Sequence, residues 1–287
     1  MPALPNPRPS GLTRRQILPI AAAAVALPSL WRGAAAATGE APLVDSLFNL
    51  AWIADGSPWQ KHLYVLFAPW CPYCKALFHD SRGLVSGLQI RWIPAGSRDE
   101  KSRKYNVALA RSRDVKVLNE LFTTGAIADV TVPSFDSIDL NEGVIFSQSQ
   151  ELDRLIGRSY GFPTLVYPGK DGIVAMSGAP DDVGTLLKDV VGDGRYPPDK
   201  STAPGLLARP LTETPIEESL RAFAKDKSVA MRALPFADAP QVDDLGGTSY
   251  RALARMQTDA GTWIAVSYLT NGIRAYVPED WVELRPS

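Results

Sequence analysis

The stretch FAPWCPYCK (residues 67–75) holds Cys71 and Cys74, the only two cysteines in a chain of 287 residues. Structural zinc sites, disulfide bridges and redox catalysts all use the Cys-x-x-Cys spacing, so the surrounding sequence must decide between them. The preceding residues KHLYVLFA (61–68) are mostly apolar and aromatic and predict a strand. The residues that follow, 75–88, predict a helix. The cysteine pair is therefore predicted at a turn from a strand into a helix.

Neither a zinc site nor a stabilising disulfide explains the pair well. Structural zinc takes four ligands, usually in two close Cys or His pairs, and the remaining His62 and His79 do not form a second pair. A bridge between Cys71 and Cys74 would close a very short loop, which gives little loop-closure stabilisation. Redox exchange fits better, because it needs one thiolate that attacks a disulfide and a second thiol that resolves the mixed intermediate. We expect no metal and no organic cofactor.

The predicted helix start gives the two cysteines different roles. Unpaired amides and the helix dipole favour negative charge at a helix N-terminus, so we expect Cys71 to be more acidic than a free thiol. Cys74, one turn into the helix, is expected to be buried and to close the ring. Pro72 suits the first helical turn. Lys75 lies on the same face as Cys71, where it either favours the thiolate or is an ordinary solvated lysine.

The N-terminal residues 1–37 predict an export signal. They contain arginines and no acidic residue, and the segment TRRQIL (13–18) resembles the twin-arginine export signal. An apolar run over 17–31 leads to the small residues of 34–37, a candidate cleavage site. The run is shorter than the roughly 20 residues that a membrane-spanning helix needs. We therefore expect an exported, periplasmic protein, with an uncleaved membrane anchor as the alternative.

The composition argues against a nucleic acid partner. The net charge is −1, the chain after the signal is more acidic than the whole, and it contains no basic stripe. Hydrophobic residues make up 45% and charged residues 21% of the chain, as is ordinary for a soluble globular protein.

The rest of the chain predicts an α/β domain, a linker and a small all-β module. Apolar periodicity, turn signals and proline content set the predicted limits. The predicted domains are a catalytic domain over 38–195, with a mainly helical insertion at about 97–160, a proline-rich linker over 196–214 and the all-β module over 215–287. Within the catalytic domain we expect a polar loop over 130–143, a helix over 144–156, two strands over 161–178 and a helix over 181–191. The segment TPIE (214–217) predicts a helix that starts with a capping box.

The sequence Trp70-Cys71-Pro72-Tyr73-Cys74 after an apolar strand resembles the active site of the thioredoxin superfamily. The resemblance implies a thioredoxin-like α/β fold in which Cys71 attacks and Cys74 resolves. It also implies that a cis-proline loop packs against the sulfurs and binds the substrate backbone, and that Trp70, Pro72 and Tyr73 help to position the substrate.

Two prolines are candidates for the cis-proline that this resemblance implies. Thr131-Val132-Pro133 resembles the glutaredoxin pattern, but no convincing strand follows it. Phe162-Pro163 is followed by a strand, a glycine turn, a second strand and a helix, the ending that a thioredoxin fold requires. Although ordinary X-Pro bonds are trans, we expect Pro163 to be the cis-proline.

The helical insertion makes the chain similar to the periplasmic DsbC/DsbG thiol:disulfide interchange proteins, and more distantly to DsbA. The segments FAPWCPYCKALF (67–78) and LQIRWIPAG (88–96) are most similar to the DsbG-like group. Too few residues separate the signal from the first strand for that group's N-terminal dimerisation domain, so we expect a monomer. Phe162 stands where the group usually has Thr or Val, which narrows the choice of substrate. Val65 stands at the place of thioredoxin's buried acid and cannot relay protons.

The C-terminal part resembles a bacterial SH3-like domain, most clearly in GTWIAVSYLTNGIRAYVPEDWVEL (261–284). Such modules bind varied partners, so we expect a cell-wall or protein ligand. Trp263, Tyr276 and Trp281 either line a groove for that ligand or belong to the core and rim of a small barrel.

Three functions follow from these patterns. The first is a periplasmic thiol:disulfide oxidoreductase of the isomerase or reductase type, which acts on exported Cys-containing proteins and takes electrons from a membrane thiol reductase. The second is a net disulfide oxidase like DsbA, with a membrane oxidase as its partner, because the direction of exchange depends on the reduction potential. The third is a non-enzymatic scaffold that recognises a cell-envelope partner through the SH3-like module.

Overall fold

The computed structural model describes residues 40–56, 61–84, 87–128, 137–192, 195–270 and 272–287. The predicted signal (1–37) and the competing candidate Pro133 lie outside these residues. Within the described ranges no helix combines the length and apolar character needed to cross a bilayer.

Helices and strands are mixed up to residue 192, with four successive helices described between residues 100 and 156, and strands dominate after that. The helices are α1 (Glu40–Phe48), α2 (Pro72–Asp80), α3 (Glu100–Ser112), α4 (Val115–Thr124), α5 (Ser137–Ser147), α6 (Ser149–Ile156), α7 (Val183–Asp189) and α8 (Ala203–Leu207), with 3₁₀ turns at Pro198–Lys200 and Glu279–Trp281. The strands are β1 (Ile53–Gly56), β2 (His62–Phe67), β3 (Gln89–Pro94), β4 (Thr164–Gly169), β5 (Gly172–Ser177), β6 (Thr212–Pro215), β7 (Leu220–Ala224), β8 (Val229–Arg232), β9 (Gln241–Leu245), β10 (Ser249–Thr258), β11 (Gly261–Ser267), β12 (Arg274–Pro278) and β13 (Val282–Pro286).

The first sheet has the strand order β1-β3-β2-β4-β5. β2 and β3 are parallel, whereas β1 is antiparallel to β3, β4 to β2 and β5 to β4. β2, β3 and β4 are buried along their whole length, as expected for strands covered on both faces. A β-α-β unit around α2 and a β-β-α ending confirm the predicted thioredoxin-like fold.

Strand β2 contributes side chains to a core on each face of this sheet. Leu63 and Phe67 belong to an apolar cluster with α2, α4 and α7, whereas Tyr64 belongs to a second cluster with α1, α5 and the C-terminal strands. The alternation follows from the two-residue period of a strand. Cys71 and Cys74 both belong to the first cluster, so the dithiol is built on the face covered by α2, α4 and α7.

The C-terminal part is an all-β region that fits the predicted SH3-like module. Its described strands run in the order β13-β7-β10-β11-β12-β8-β9, with β6 also paired to β10. Every pairing between them is antiparallel. The region packs against the first part of the chain through α5, which contacts β9 and β12.

Two predicted helix boundaries in the first part are wrong. α2 ends at Asp80 rather than residue 88, and turns follow it; Gly83 there has a left-handed φ of 77°. The polar segment 137–143, predicted as loop, is instead the first half of α5. Its side chains Asp139, Asn141 and Glu142 are buried and hydrogen-bonded inside the core, so polarity was a misleading signal. The helix predicted over 144–156 is two helices that meet at Gln148.

Further along the chain, the strand pair predicted over 161–178 is confirmed as β4 and β5. The helix predicted over 181–191 is the shorter α7, whose start is set by the side chain of Asp182 accepting from the backbone N–H of Thr185.

The helix predicted at TPIE (214–217) is wrong, because these residues lie at the end of β6 and beyond it. Pairing with β10 overrides the capping-box pattern, and the backbone N–H of Ile216 donates to Leu253. The predicted linker 196–214 also has structure: it contains α8, and Tyr196 and Leu206 are buried in the core. The limits of the two predicted domains at 195 and 215 remain predictions.

Candidate active site

Cys71 is the residue that caps the N-terminus of α2. Its backbone is extended, with φ −82° and ψ 115°, and its Sγ accepts a hydrogen bond from the backbone N–H of Cys74 at 3.2 Å. The sulfur therefore satisfies one of the helix's unpaired donors, as Ser or Asp does at an ordinary N-cap. Pro72 occupies the first helical turn, where the missing N–H costs nothing. Both cysteines are buried free thiols.

The two thiols differ in acidity. The pKa of Cys71 is lowered from 9.0 to about 7, chiefly by a hydrogen bond with the Cys74 side chain; burial opposes this, and the backbone N–H groups of Cys74 and Tyr73 assist it. Burial raises the pKa of Cys74, and its hydrogen bond to Cys71 adds to the effect. Lys75 is exposed and is not among the groups that lower the pKa of Cys71. Near neutral pH Cys71 is thus the thiol that more readily loses its proton, and Cys74 keeps its proton.

The loop before β4 lies directly against Cys71. The Phe162–Pro163 peptide bond is cis, and the Cys71 thiol lies 3.3 Å from the backbone oxygen of Phe162, to which it donates. Pro163 is buried and Phe162 is half-buried. The structure thus brings the predicted cis-proline to the predicted nucleophile, although the two are 91 residues apart.

Trp70 and Phe162 form what we call the aromatic wall beside Cys71. Their ring centroids are 6.2 Å apart and their planes are nearly perpendicular, at 89°. The Trp70 Nε1–H donates to the backbone oxygen of Gly96 at 2.7 Å. A Cβ on Gly96 would lie 2.4 Å from the Phe162 ring, and Gly96 has a φ of 69°. Only glycine therefore fits between the two parts of the wall.

Tyr73 and Trp70 give the dithiol an exposed aromatic rim. Tyr73 is 65% exposed and Trp70 is 39% exposed, whereas most aromatic side chains of the first part are buried. The guanidinium of Arg98 lies 4.8 Å above the Trp70 ring, a distance at which cation–π attraction holds the two together. The rim offers apolar surface next to Cys71, with the Arg98 guanidinium at its edge.

Three residues of this neighbourhood were not predicted from the sequence: Gly96, Arg98 and Glu142. A glycine two residues after the end of β3 was a usable signal for Gly96. Glu142 lies in the segment that was predicted as loop. Val65, by contrast, lies where it was predicted, in the apolar cluster that also contains Cys74, and it offers no group for proton transfer.

The three aromatic residues singled out in the C-terminal part have different environments. Tyr276 is fully buried, and its hydroxyl donates to Asp139 Oδ2 at 2.9 Å. Trp263 is 6% exposed and Trp281 is 54% exposed, and both line a pocket of about 240 Å³. Tyr276 is therefore a core residue, and only the two tryptophans lie at a surface pocket.

His62 and His79 are the two histidines of the chain. Among the described residues no group of three or more His, Cys, Asp and Glu side chains is placed to hold a metal ion. The His62 ring packs edge-on against Tyr64 and Tyr196.

No protein-family model matches the sequence, and no curated protein matches it. Similar solved structures include a disulfide interchange protein from Neisseria gonorrhoeae, which is 16% identical over 50% of this chain and 97% of that chain, with a TM-score of 0.36. A periplasmic thioredoxin-like protein from Salmonella enterica serovar Typhimurium is 19% identical over 52% of this chain and 93% of that chain, with a TM-score of 0.38. A lysostaphin SH3b domain is 18% identical over 26% of this chain and 91% of that chain, with a TM-score of 0.22.

Proposed function

We propose that the chain is an exported thiol:disulfide oxidoreductase of the isomerase or reductase type, acting on cysteines of exported proteins. One observation carries the proposal: Cys71 Sγ accepts a helix N-terminal N–H and lies against the cis Phe162–Pro163 loop. This arrangement favours a thiolate at Cys71 and leaves its sulfur next to a loop with which an extended substrate can pair.

The two thiols Cys71 and Cys74 supply all the electrons that the reduction of one substrate disulfide needs. The Cys71 thiolate attacks one sulfur of a substrate disulfide, forms a mixed disulfide and releases the other substrate sulfur as a thiolate. Cys74 then loses its proton and attacks Cys71 Sγ, which gives the Cys71–Cys74 disulfide and frees the second substrate thiol. The substrate gains two electrons and two protons. A membrane thiol reductase would return the pair to the dithiol, whereas in isomerisation another substrate thiol resolves the mixed disulfide.

The acidity of Cys71 supports the reducing direction over a DsbA-like oxidase. Its pKa is lowered to about 7. Strongly oxidising Cys-x-x-Cys sites have a pKa near about 3.5, and reducing ones a pKa near about 7. The reduction potential separates the two: a value near about −120 mV would support the oxidase, and one well below about −180 mV the reductase or isomerase.

The direct test compares two single variants with the wild type in the reduction of a model protein disulfide. Cys71→Ser should abolish activity because it removes the attacking sulfur. Cys74→Ser should still attack but accumulate a mixed disulfide that runs as a larger species on a non-reducing gel. Activity that survives Cys71→Ser would contradict the assignment, whereas a wild type that does not reduce the model disulfide would favour the scaffold hypothesis.

For the all-β region we propose ligand binding at the pocket beside Trp281. The support is that a large apolar side chain is 54% exposed at the mouth of a pocket, where aromatic residues commonly anchor ligands. Trp281→Ala should weaken cosedimentation with isolated cell-wall sacculi or with envelope proteins, and unchanged cosedimentation would argue against it.

A further inference from the structure

Glu142 lies in α5, outside the dithiol pair, and its carboxyl group holds the loop that follows β3. The residue is 6% exposed. Its Oε1 accepts hydrogen bonds from the backbone N–H of Ser97 at 2.9 Å and from Ser97 Oγ at 2.6 Å. Two bonds to one residue fix both the backbone and the side chain of Ser97, so the carboxyl group sets the course of the chain there.

Asn106, in α3, is a second buried side chain that supports the same loop. Its Nδ2 donates to the backbone oxygen of Ala95 at 2.8 Å and to Ser97 Oγ at 3.1 Å, and it lies 3.4 Å from Glu142 Oε1. The loop is thus held by two buried side chains from two helices, whose own positions the core determines.

The residue between these anchored positions, Gly96, touches both members of the aromatic wall. Its backbone oxygen accepts from Trp70 Nε1, and its α-carbon leaves no room for a Cβ against the Phe162 ring. The backbone oxygen of Phe162 in turn accepts from the Cys71 thiol. Contacts therefore run without a gap from the carboxyl group in α5 to the attacking sulfur.

We propose that Glu142 is a positioning residue for disulfide exchange: its carboxyl group fixes the loop at Gly96 and Ser97 and, through that loop, the aromatic wall against which a substrate disulfide lies. This inference rests on the proposed exchange function. Glu142 does not act on the acidity of the sulfur, because the groups that lower the pKa of Cys71 belong to Cys74 and Tyr73. Its loss should change how a substrate is held and leave the thiolate itself unchanged.

We expect the loss of Glu142 to slow one reaction of the reduced, full-length protein and to leave a second reaction unchanged. One is exchange with a cysteine peptide carrying thionitrobenzoate in a mixed disulfide, which needs the wall. The other is alkylation of Cys71 by iodoacetamide, which needs only the thiolate. Burial raises the pKa of Glu142, so Glu142→Gln, which keeps an oxygen acceptor for Ser97, should serve as a conservative variant that folds.

In Glu142→Leu we expect peptide exchange to slow about tenfold, since misplacing reacting groups by about 1 Å can cost up to about 100-fold. Alkylation should stay within about twofold of wild type, because the helix-start hydrogen bonds that set thiolate character remain. Glu142→Gln should restore peptide exchange. The matched control is Glu151→Leu in α6, which removes only a carboxylate paired with the exposed Arg154 and should change neither rate.

Each outcome decides a different point. Unchanged peptide exchange in Glu142→Leu, or a Gln variant as slow as the Leu variant, would overturn the inference. A parallel fall in both rates would also overturn it, because it would reveal only general loss of structure. If Glu142→Leu does not fold, Ser97→Ala takes its place and must slow peptide exchange without slowing alkylation. A wild type that is alkylated but does not exchange with the peptide would instead refute the proposed function.

Discussion

Replacing Gly96 with alanine tests whether the aromatic wall is packed as tightly as the structure shows. The new Cβ would lie 2.4 Å from Phe162 Cε2 and 2.8 Å from the Cβ of Ala68, distances at which atoms must move. The φ of 69° adds a second cost, since the left-handed conformation disfavours a side chain by about 1–2 kcal/mol. Overpacking of this kind costs about 1–3 kcal/mol, so the two costs together should lower the free energy of unfolding by about 2–5 kcal/mol.

Gly125 provides the matched control for this prediction. It ends α4 with a φ of 77°, and a Cβ added there would meet nothing within 4 Å. Gly125→Ala should therefore carry the backbone cost alone, about 1–2 kcal/mol. The difference between the two variants isolates the contact with Phe162 and Ala68.

Urea unfolding followed by tryptophan fluorescence gives both free energies, provided that the m-value stays constant. Peptide exchange should also slow in Gly96→Ala and not in Gly125→Ala, because only the first displaces the wall. Equal stabilities for the two variants would refute the argument, since they would show that the Phe162 ring moves aside without cost.

Four further predictions concern the thiols and the all-β region. Because the pKa of Cys71 is lowered from 9.0 to about 7, the rate of its alkylation should rise with pH and reach half of its maximum at about pH 7. The free energy of unfolding of the reduced protein, measured relative to Cys71→Ser, should rise between pH 7 and pH 9, and this gain should be lost as the pH falls through 7. A midpoint near pH 9 in the alkylation rate would contradict both expectations. Tyr276→Phe removes a donor to the buried Asp139 and should lower the free energy of unfolding in urea by about 1–3 kcal/mol, because it leaves a buried acceptor unsatisfied. A loss under about 0.5 kcal/mol, typical of surface changes, would contradict this. A chain truncated after residue 211 should lose its cooperative unfolding transition, and a sharp transition would show that the first part folds alone.

The dithiol was predictable from sequence because its determinants are local. An apolar strand, a Cys-x-x-Cys pair and Pro72 at the helix start lie within fourteen consecutive positions (61–74), and each has a direct backbone consequence. The cis-proline was predictable for a related reason: the strands after Pro163 have a clear pattern even though the residue is distant from Cys71. The position of Pro163 against the sulfur depended on the fold.

The wrong prediction of a loop at 137–143 has a different cause. The segment 137–143 is polar, and polarity in sequence normally indicates solvent. Its residues Asp139, Asn141 and Glu142 are nevertheless buried, because partners from distant segments satisfy each of them. Asn141, for example, bonds to the backbone of Ala51 in both directions. No sequence pattern within the segment indicates such distant partners, so a buried helix could not be distinguished from an exposed loop there.

Helix α5 connects the two parts of the chain through these same buried groups. Asp139 accepts from the backbone N–H of Arg274 and from the Tyr276 hydroxyl, both in β12, and Arg103 lies at 3.3 Å from its carboxylate. Three positions along the helix, Glu142 holds the loop beside the dithiol. A buried carboxylate that loses its partners is costly, commonly about 3–5 kcal/mol, so displacing β12 should disturb α5.

This coupling bears on the hypothesis of an independent binding module joined by a linker. Val144 and Ile145 of α5 share one apolar cluster with Val242 and Val277 of the all-β region. Separating the two parts would expose that cluster and leave the carboxylate of Asp139 without its β12 donors. Few contacts join the two sides of a true linker between domains. We therefore expect the all-β region to be part of the framework that holds the thiol site, and a ligand bound at its pocket to act on a protein that unfolds as one unit.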